Sequence, residues 1–396
     1  MGRQAATGDG KRDAKPRLVI ATDNFLPRWD GIARFLAELI PRLLDEYDVT
    51  VISPDYGVTD LDLRIRRILI PLVDKEYGDY IPAQWRPKMV RKAIEEADIV
   101  FCQTIGPVGY LAHRWARKLG KPLAAFIHSI EWELVPKALN QRLLKRLAYP
   151  FTKMFTRFLY RHANLLIVPS RNTAELLTWQ RIDTKKVVVN LGVDTKKFVK
   201  GDRNAAKRNL KLPKDSMVIG FHGRLGHEKN LLTLSRAFIR LDRKGKRLLI
   251  VGDGVYDLKQ RLKKVRGALL PGSTDNIVPY LQAMDIYVMP SFTETTSLAV
   301  LEAMSCELPI ISSPVGFIQQ YITHGKNGFF YDTKNAFDLS RKLQLLADNP
   351  VLRSRIGAAA RKTITERFNW DRTAEGIAVA LGTLLPQTKK NAMKKT

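Results

Sequence analysis

The sequence predicts an α/β protein built from two doubly wound units in tandem. Three observations carry this. Short apolar runs of strand length alternate with amphipathic stretches from Arg17 onward, a polar lysine-rich stretch interrupts the alternation at Thr195–Ser216, and the alternation then restarts. Strands alternating with helices specify a parallel sheet covered on both faces. Two such sheets predict a cleft between them, and open sheets of this kind take ligands beyond the carboxyl ends of their strands. At 396 residues with 45% hydrophobic side chains, the chain can fill two interiors.

The first unit is expected over 16–195. Its strand candidates are Leu18–Ala21, Val49–Ile52, Ile99–Phe101, Leu123–Ile127, Leu165–Val168 and Val187–Val189. After the first of them, Ile32, Phe35, Leu36, Leu39, Ile40 and Leu43 fall on one helical stripe. The Thr195–Ser216 stretch is expected to be the linker, and the second unit to fill 196–368. Its strand candidates are Val218–Phe221, Arg247–Val251, Ile286–Met289, Ile310–Ile311 and Phe329–Tyr331. Residues 1–15 and 389–396 are expected to be polar and basic tails. No apolar run reaches the roughly 18–20 residues of a membrane-spanning helix. The first fifteen residues lack the apolar core of a signal peptide, and Ala6 stands where a myristoylation motif wants Ser or Thr. No repeat of solenoid period is present.

The charge is unusual: 66 Lys and Arg against 39 Asp and Glu give +27. A field of that sign attracts polyanions, whether nucleic acid, anionic lipid or nucleotide phosphate. Two cysteines, Cys102 and Cys306, exclude a disulfide framework and suit a reducing compartment.

Three loops carry chemistry. In Thr22–Ile32, Gly31 opens a helix. It either makes a tight turn or lets helix amides approach an anion. In Phe221-His222-Gly223-Arg224-Leu225-Gly226-His227-Glu228-Lys229-Asn230, Arg224 and Lys229 stand five apart across a helix start. They are either solvated or jointly placed on one diphosphate, Arg224 as a fork and Lys229 as a point charge. The third loop runs from Pro290 into a helix near Thr296. Glu294 on the loop suits sugar hydroxyls. Glu302 follows eight residues later among Leu298, Val300, Leu301 and Met304, so it is expected to be buried. An unpaired buried carboxylate is costly, which predicts a bound partner such as the vicinal hydroxyls of a ribose.

Together these segments resemble the family-4 retaining glycosyltransferases of GT-B fold. The Glu294-x7-Glu302 segment inside Pro-Ser-Phe-Thr-Glu…Glu-Ala-Met is the most specific element. Gly223-Arg224…Lys229-Asn230, Val251-Gly252-Asp253-Gly254, Asn190-Leu191-Gly192-Val193-Asp194 and Gly325-Lys326-Asn327-Gly328-Phe329 match in order and spacing. The resemblance covers roughly Arg17 to Arg372. It implies two Rossmann-like lobes, with a last helix over 369–388 crossing back to the first. It implies that Gly223, Arg224 and Lys229 hold the donor diphosphate, Glu302 the ribose and Glu294 the sugar. The amides of Thr295, Thr296 and Ser297 would meet phosphate or sugar. Gly31 would approach from the other lobe, and His128 would lie beside the transferred sugar. Catalysis would rest on His128, Arg224, Lys229 and Glu294, by same-face displacement with no metal and no cofactor beyond a UDP- or GDP-linked donor. Asp30 stands where the family commonly has a further glycine, and Thr295-Thr296-Ser297 where it often has Gly-Phe-Gly. The sugar itself is therefore left open. Asp60-Leu61-Asp62 has the form of a metal-binding pair but stands isolated in a polar loop, and the loop at Gly252 lacks the third glycine of a dinucleotide fingerprint.

From Leu134 to Ala174 there is no Asp or Glu. Arg142, Lys145, Arg146, Lys153, Arg157 and Arg161 are interleaved with Leu and aromatic residues, and Phe151, Met154, Phe155, Phe158 and Leu159 share one side. That pattern is either a core-packed helix with solvated charges or an interfacial helix on anionic lipid. The expected function is hexose transfer to a lipid-type acceptor, by a cytoplasmic protein held at the inner face of the cell membrane. A soluble transferase acting on a small molecule or polysaccharide, and a GT-B phosphorylase or epimerase, are the alternatives of the same architecture. A nucleic-acid-binding protein would need a reading motif, and none is present.

Overall fold

The computed structural model describes residues 15–28, 30–60, 64–74, 81–138, 142–294 and 296–386, with the side chains of 136–138 and 142–145 outside that description. The expectations made for the two tails, Asp62 and Thr295, and for the side chains of Arg142 and Lys145, therefore fall outside the described residues.

The chain divides into two compact units. Asn190–Thr373 forms the second, and the segments before and after it form the first. In the first unit the strands are β1 (Arg17–Ala21), β2 (Asp48–Pro54), β3 (Arg66–Ile70), β4 (Ile99–Cys102), β5 (Leu123–Phe126), β6 (Leu165–Val168) and β7 (Lys186–Val188). They form a parallel sheet in the order β3-β2-β1-β4-β5-β6-β7. The second unit has β8 (Val218–His222), β9 (Arg247–Val251), β10 (Ala268–Gly272), β11 (Ile286–Met289), β12 (Ile310–Ser312) and β13 (Phe329–Phe330), in the order β10-β9-β8-β11-β12-β13. Both sheets are parallel at every pairing. The strand order reverses between β1 and β4 in one sheet and between β8 and β11 in the other, which puts the ligand-accepting crevice of each unit beside those strands.

The central strands are buried along their length, β4, β5, β6, β8 and β11 in every residue. Continuous apolar runs of this kind mark strands covered on both faces. The two strands that sequence reading missed, β3 and β10, are both edge strands. β3 carries Arg66 and Arg67, and β10 carries Pro271 next to Gly272. Charge and proline belong on sheet edges and erase the apolar signal used to find strands.

The expected linker is corrected by the structure. Asn190 already belongs to the second unit, and 195–216 contains a helix, Arg203–Asn209. Lys207 on that helix is buried, ion-paired to Asp285 at 2.8 Å and donating to the Ser216 carbonyl at 2.7 Å. A lysine of the polar stretch read as a linker is thus an internal strut. The Asn190–Asp194 motif is structural. Val193 bridges Asn369, and a side chain at Gly192 would collide with the Asn369 backbone. The last helix, Trp370–Gly382, joins the first unit from Ala374 on, where Tyr47 donates to the Ala378 carbonyl at 3.1 Å.

Candidate functional site

The loops leaving β8 and β11 flank the reversal point of the second sheet. The β8 loop is zipped to the loop after β9: Gly223 N donates to Val251 O, Leu225 N to Asp253 O and Val255 N to Leu225 O, at 2.8–3.0 Å. Gly252 has φ +136°, and a Cβ there would lie 2.0 Å from Gly223 O. Only glycine allows these two backbones to approach so closely. His227–Lys229 then makes one 3-10 turn, and left-handed Asn230 starts the following helix while its side chain donates to Pro290 O at 3.1 Å. Phe292 N donates to Glu228 O at 2.8 Å, which ties the β11 loop to the β8 loop.

This tie brings charged side chains together. Lys229 Nζ lies 2.6 Å from Glu294 Oε1, which also accepts from Ser291 Oγ at 2.6 Å. The Lys229 and Glu294 side chains are only 19% and 8% exposed. Arg224 differs. Its side chain is 73% exposed and meets Glu228 at 2.7 Å, one turn along. Ser297, between the two motif glutamates, donates its amide to Tyr321 Oη at 3.2 Å, and Thr296 is half-buried beside it.

Glu302 is 1% exposed, as its apolar neighbours predict. It meets His222, the last residue of β8, with Nε2 2.7 Å from Glu302 Oε2. Sequence reasoning missed this pair. His222 stands in plain view before Gly223-Arg224, but nothing along the chain says that β8 and β11 are neighbours.

Gly31 and His128 lie in the first unit. At Gly31 the anion expectation meets an obstacle. Asp30 caps the helix Gly31–Leu43, its Oδ1 accepting from Ile32 N and Ala33 N at 2.9 and 2.8 Å. A carboxylate already occupies those amides, so the helix start is not an open anion cradle. A Cβ at Gly31 would still meet nothing within 4 Å.

His128 follows β5. Its Nε2 donates to Gln103 Oε1 at 3.0 Å, and its ring packs against Phe126 and Phe35 at 4.5 and 4.9 Å. Burial among these rings pushes its pKa down to about 3, so the imidazole is neutral. A neutral ring with so low a pKa is a hydrogen-bonding group and a poor base.

Three polar groups nearby went unread in the sequence. Asp23, after β1, accepts from Val108 N and Gly109 N at 2.8 and 3.1 Å and from the Thr104 hydroxyl. It caps the helix Pro107–Lys118 and stitches the β1 and β4 loops together. Burial raises its pKa, against those hydrogen bonds. Gln103 holds His128. Glu131, three residues beyond His128, has its pKa pushed up to about 7 by burial, against the lowering influence of the Tyr160 and Ser129 hydroxyls.

On the helix Arg142–Arg161 the expected apolar side is split. Leu159 is buried and Phe155 half-buried, stacked on Tyr110, while Thr152, Thr156 and Tyr160 complete the inward face. Leu147, Phe151, Met154 and Phe158 are 49–65% exposed. Arg146 and Arg161 are exposed, with Lys153 and Arg157 half-buried beside that row. Spacing at i, i+4, i+7 and i+11 makes the four exposed apolar residues one stripe.

Two family models match the chain: glycosyltransferase family 4 over residues 29–197 and glycosyl transferases group 1 over residues 202–363. The chain is 30% identical over 254 residues to a D-inositol 3-phosphate glycosyltransferase of Stackebrandtia nassauensis, covering 59% of this chain and 57% of that protein. It is 30% identical over 287 residues to a sulfoquinovosyl transferase of Arabidopsis thaliana, covering 69% and 54%. The match thus spans little more than half the length of these relatives. Among solved structures, Anabaena HepE in complex with UDP superposes with a TM-score of 0.76 at 18% identity, covering 93% of this chain and all of that one.

Proposed function

The chain belongs to glycosyltransferase family 4, the glycosyl transferases group 1, and from that premise we propose that it transfers a hexose from a nucleotide-diphosphate sugar to a lipid-type acceptor with retention. The observation that carries this is the Lys229–Glu294 pair at 2.6 Å in the crevice of the second sheet, on the same loops as the sequestered carboxylate of Glu302. A cation and two carboxylates held at a reversal point are what a charged, hydroxyl-rich donor calls for.

In this reading Lys229 exchanges Glu294 for the donor diphosphate, and Arg224 swings from Glu228 to fork onto it. Glu294, relieved of Lys229, accepts sugar hydroxyls, while Glu302 accepts those of the ribose. Gly223 and the amides from Thr295 to Ser297 line the approach. The bond from the anomeric carbon to the diphosphate breaks while the acceptor oxygen bonds on the same face, its hydroxyl proton passing to the departing diphosphate oxygen. Leaving-group charge falls on Arg224, Lys229 and backbone amides, an oxyanion-hole type of stabilisation that calls for no metal. His128, neutral, positions the transferred sugar by hydrogen bonding. With Asp30 on the helix amides, Gly31 contributes close backbone approach only.

The exposed stripe Leu147-Phe151-Met154-Phe158, flanked by Arg146, Lys153, Arg157 and Arg161, supports peripheral docking on anionic lipid. Among the described residues no helix is long and apolar enough to cross a membrane. The deciding experiment is a donor screen by thermal shift and donor hydrolysis. UDP-sugars come first because a fold neighbour is solved with UDP, followed by GDP-, ADP- and CDP-sugars, each with and without anionic liposomes. One stabilising donor, turned over faster with liposomes, is the expected result. Turnover indifferent to lipid points to a soluble acceptor, and no response to any donor refutes the transferase reading.

A further inference from the structure

We propose that His222 is a positioning residue for the nucleotide ribose, holding the Glu302 carboxylate in the orientation that accepts the vicinal hydroxyls. This rests on the donor reading above and adds a residue to it. His222 ends β8 and is 8% exposed, while Glu302 sits on the helix Leu298–Ser305 that follows β11. Because β8 and β11 are adjacent at the reversal point, the histidine and the carboxylate meet from neighbouring strands. Their contact is 2.7 Å, short enough for a charge-assisted hydrogen bond.

The ring's other nitrogen identifies the direction of that bond. Nδ1 is buried and has no hydrogen-bond partner among the described residues. A proton there would be an unsatisfied buried donor, so the proton sits on Nε2 and is donated to the carboxylate. The ring plane is held by an edge contact with Tyr287 at 5.5 Å, whose hydroxyl reaches the His222 carbonyl at 3.4 Å. The carboxylate torsion of a glutamate is intrinsically broad. A donor clamped by the sheet narrows it, using one of about four acceptor positions.

Packing alone does not explain a histidine here. The rest of β8 is Val218, Ile219, Gly220 and Phe221, all buried, and an apolar side chain would complete that run without a half-satisfied ring. What the imidazole adds is a donor aimed at Glu302.

The test is calorimetric titration of the full chain with UDP and GDP, each against its 2′-deoxy form. The wild type, His222→Val, His222→Gln and Glu302→Ala are compared. We expect the wild type to prefer the ribonucleotide. His222→Val should lose about ten-fold in ribonucleotide affinity, the scale of one hydrogen bond to a charged group. Its deoxynucleotide affinity should be unchanged, so the preference collapses as in Glu302→Ala. Gln, which carries an amide donor at comparable reach, should restore it. Equal losses for ribo and deoxy forms in His222→Val would mean a packing role and overturn the proposal. So would an intact ribose preference in His222→Val while Glu302→Ala abolishes it, which leaves the donor reading standing. If the wild type binds neither nucleotide, the donor reading itself falls and this inference falls with it. Should His222→Val fail to fold, His222→Gln beside Glu302→Gln decides the matter. Preference kept in the first and lost in the second supports the clamp, and preference lost in His222→Gln refutes it.

Discussion

Replacing Lys229 by Ala separates stability from chemistry at the candidate site. Two opposite charges in near contact attract by about 4 kcal/mol at an effective dielectric near 20, much of it offset by desolvation. Removing one partner of a fully buried pair costs about 3–5 kcal/mol, because the remaining charge is stranded. Lys229 keeps 19% exposure and Glu294 keeps its bond from Ser291, so the cost falls to or just below that range, about 2–3 kcal/mol. For a unit of this size that lowers the unfolding midpoint by roughly 5–10 °C. Adding Glu294→Ala removes the stranded carboxylate, and the double variant should recover most of the loss. Transfer should behave in the opposite way. Loss of a charge aimed at a leaving group costs roughly 10²–10³ in kcat, and the second substitution cannot restore it. The assay is thermal unfolding without nucleotide beside single-turnover transfer. If the double variant regains activity along with stability, or if Lys229→Ala transfers normally, the diphosphate role is refuted.

Three further outcomes follow from the same structure. His113 is buried, neither ring nitrogen has a hydrogen-bond partner among the described residues, and burial lowers its pKa to about 4. The unfolded chain, near 6.5, then binds the extra proton, so stability contributed by the neutral ring is lost as pH falls from about 6.5 to about 4. The slope is about 1.4 kcal/mol per pH unit, and denaturant titrations of His113→Leu should lack it. Gly252→Ala would force a Cβ onto Gly223 O at a left-handed φ, costing about 1–3 kcal/mol in backbone strain alone. Calorimetry should show weaker nucleotide binding together with a lowered unfolding midpoint, and unchanged values in both would mean the zipped loops are dispensable. Replacing Lys153 and Arg157 by Gln should weaken sedimentation with anionic liposomes by about 2 kcal/mol, roughly 30-fold, at low salt. Phe151→Ser should weaken it independently of salt, and wild-type partitioning in both would refute lipid docking through this helix.

Much of the molecule was legible along the chain. Eleven of the thirteen strands among the described residues coincide with apolar runs, the central ones fixed by burial on both sheet faces, and the burial of Glu302 follows from its helix neighbours. The charge at Arg224 and Lys229 and the two motif glutamates could be named from spacing, since each follows a strand that had to be buried. Those readings are local, and each depends on residues within one turn or one strand.

Tertiary structure decided the pairings. That Lys229 meets Glu294, 65 residues on, and that His222 meets Glu302, 80 residues on, follows from the lateral order of β8 and β11, which no local pattern encodes. The same holds for Lys207, in a stretch read as a polar linker but buried against Asp285, and for Asp30, which fills the helix amides that one of two readings at Gly31 offered to an anion. It also holds for the helix Arg142–Arg161, where spacing showed an apolar side but packing chose the Thr152–Thr156–Tyr160 side to face the core. Periodicity reports which side chains share a face. The partner of that face is set by long-range packing, where desolvating a charge or a ring must be matched by whatever the fold brings beside it.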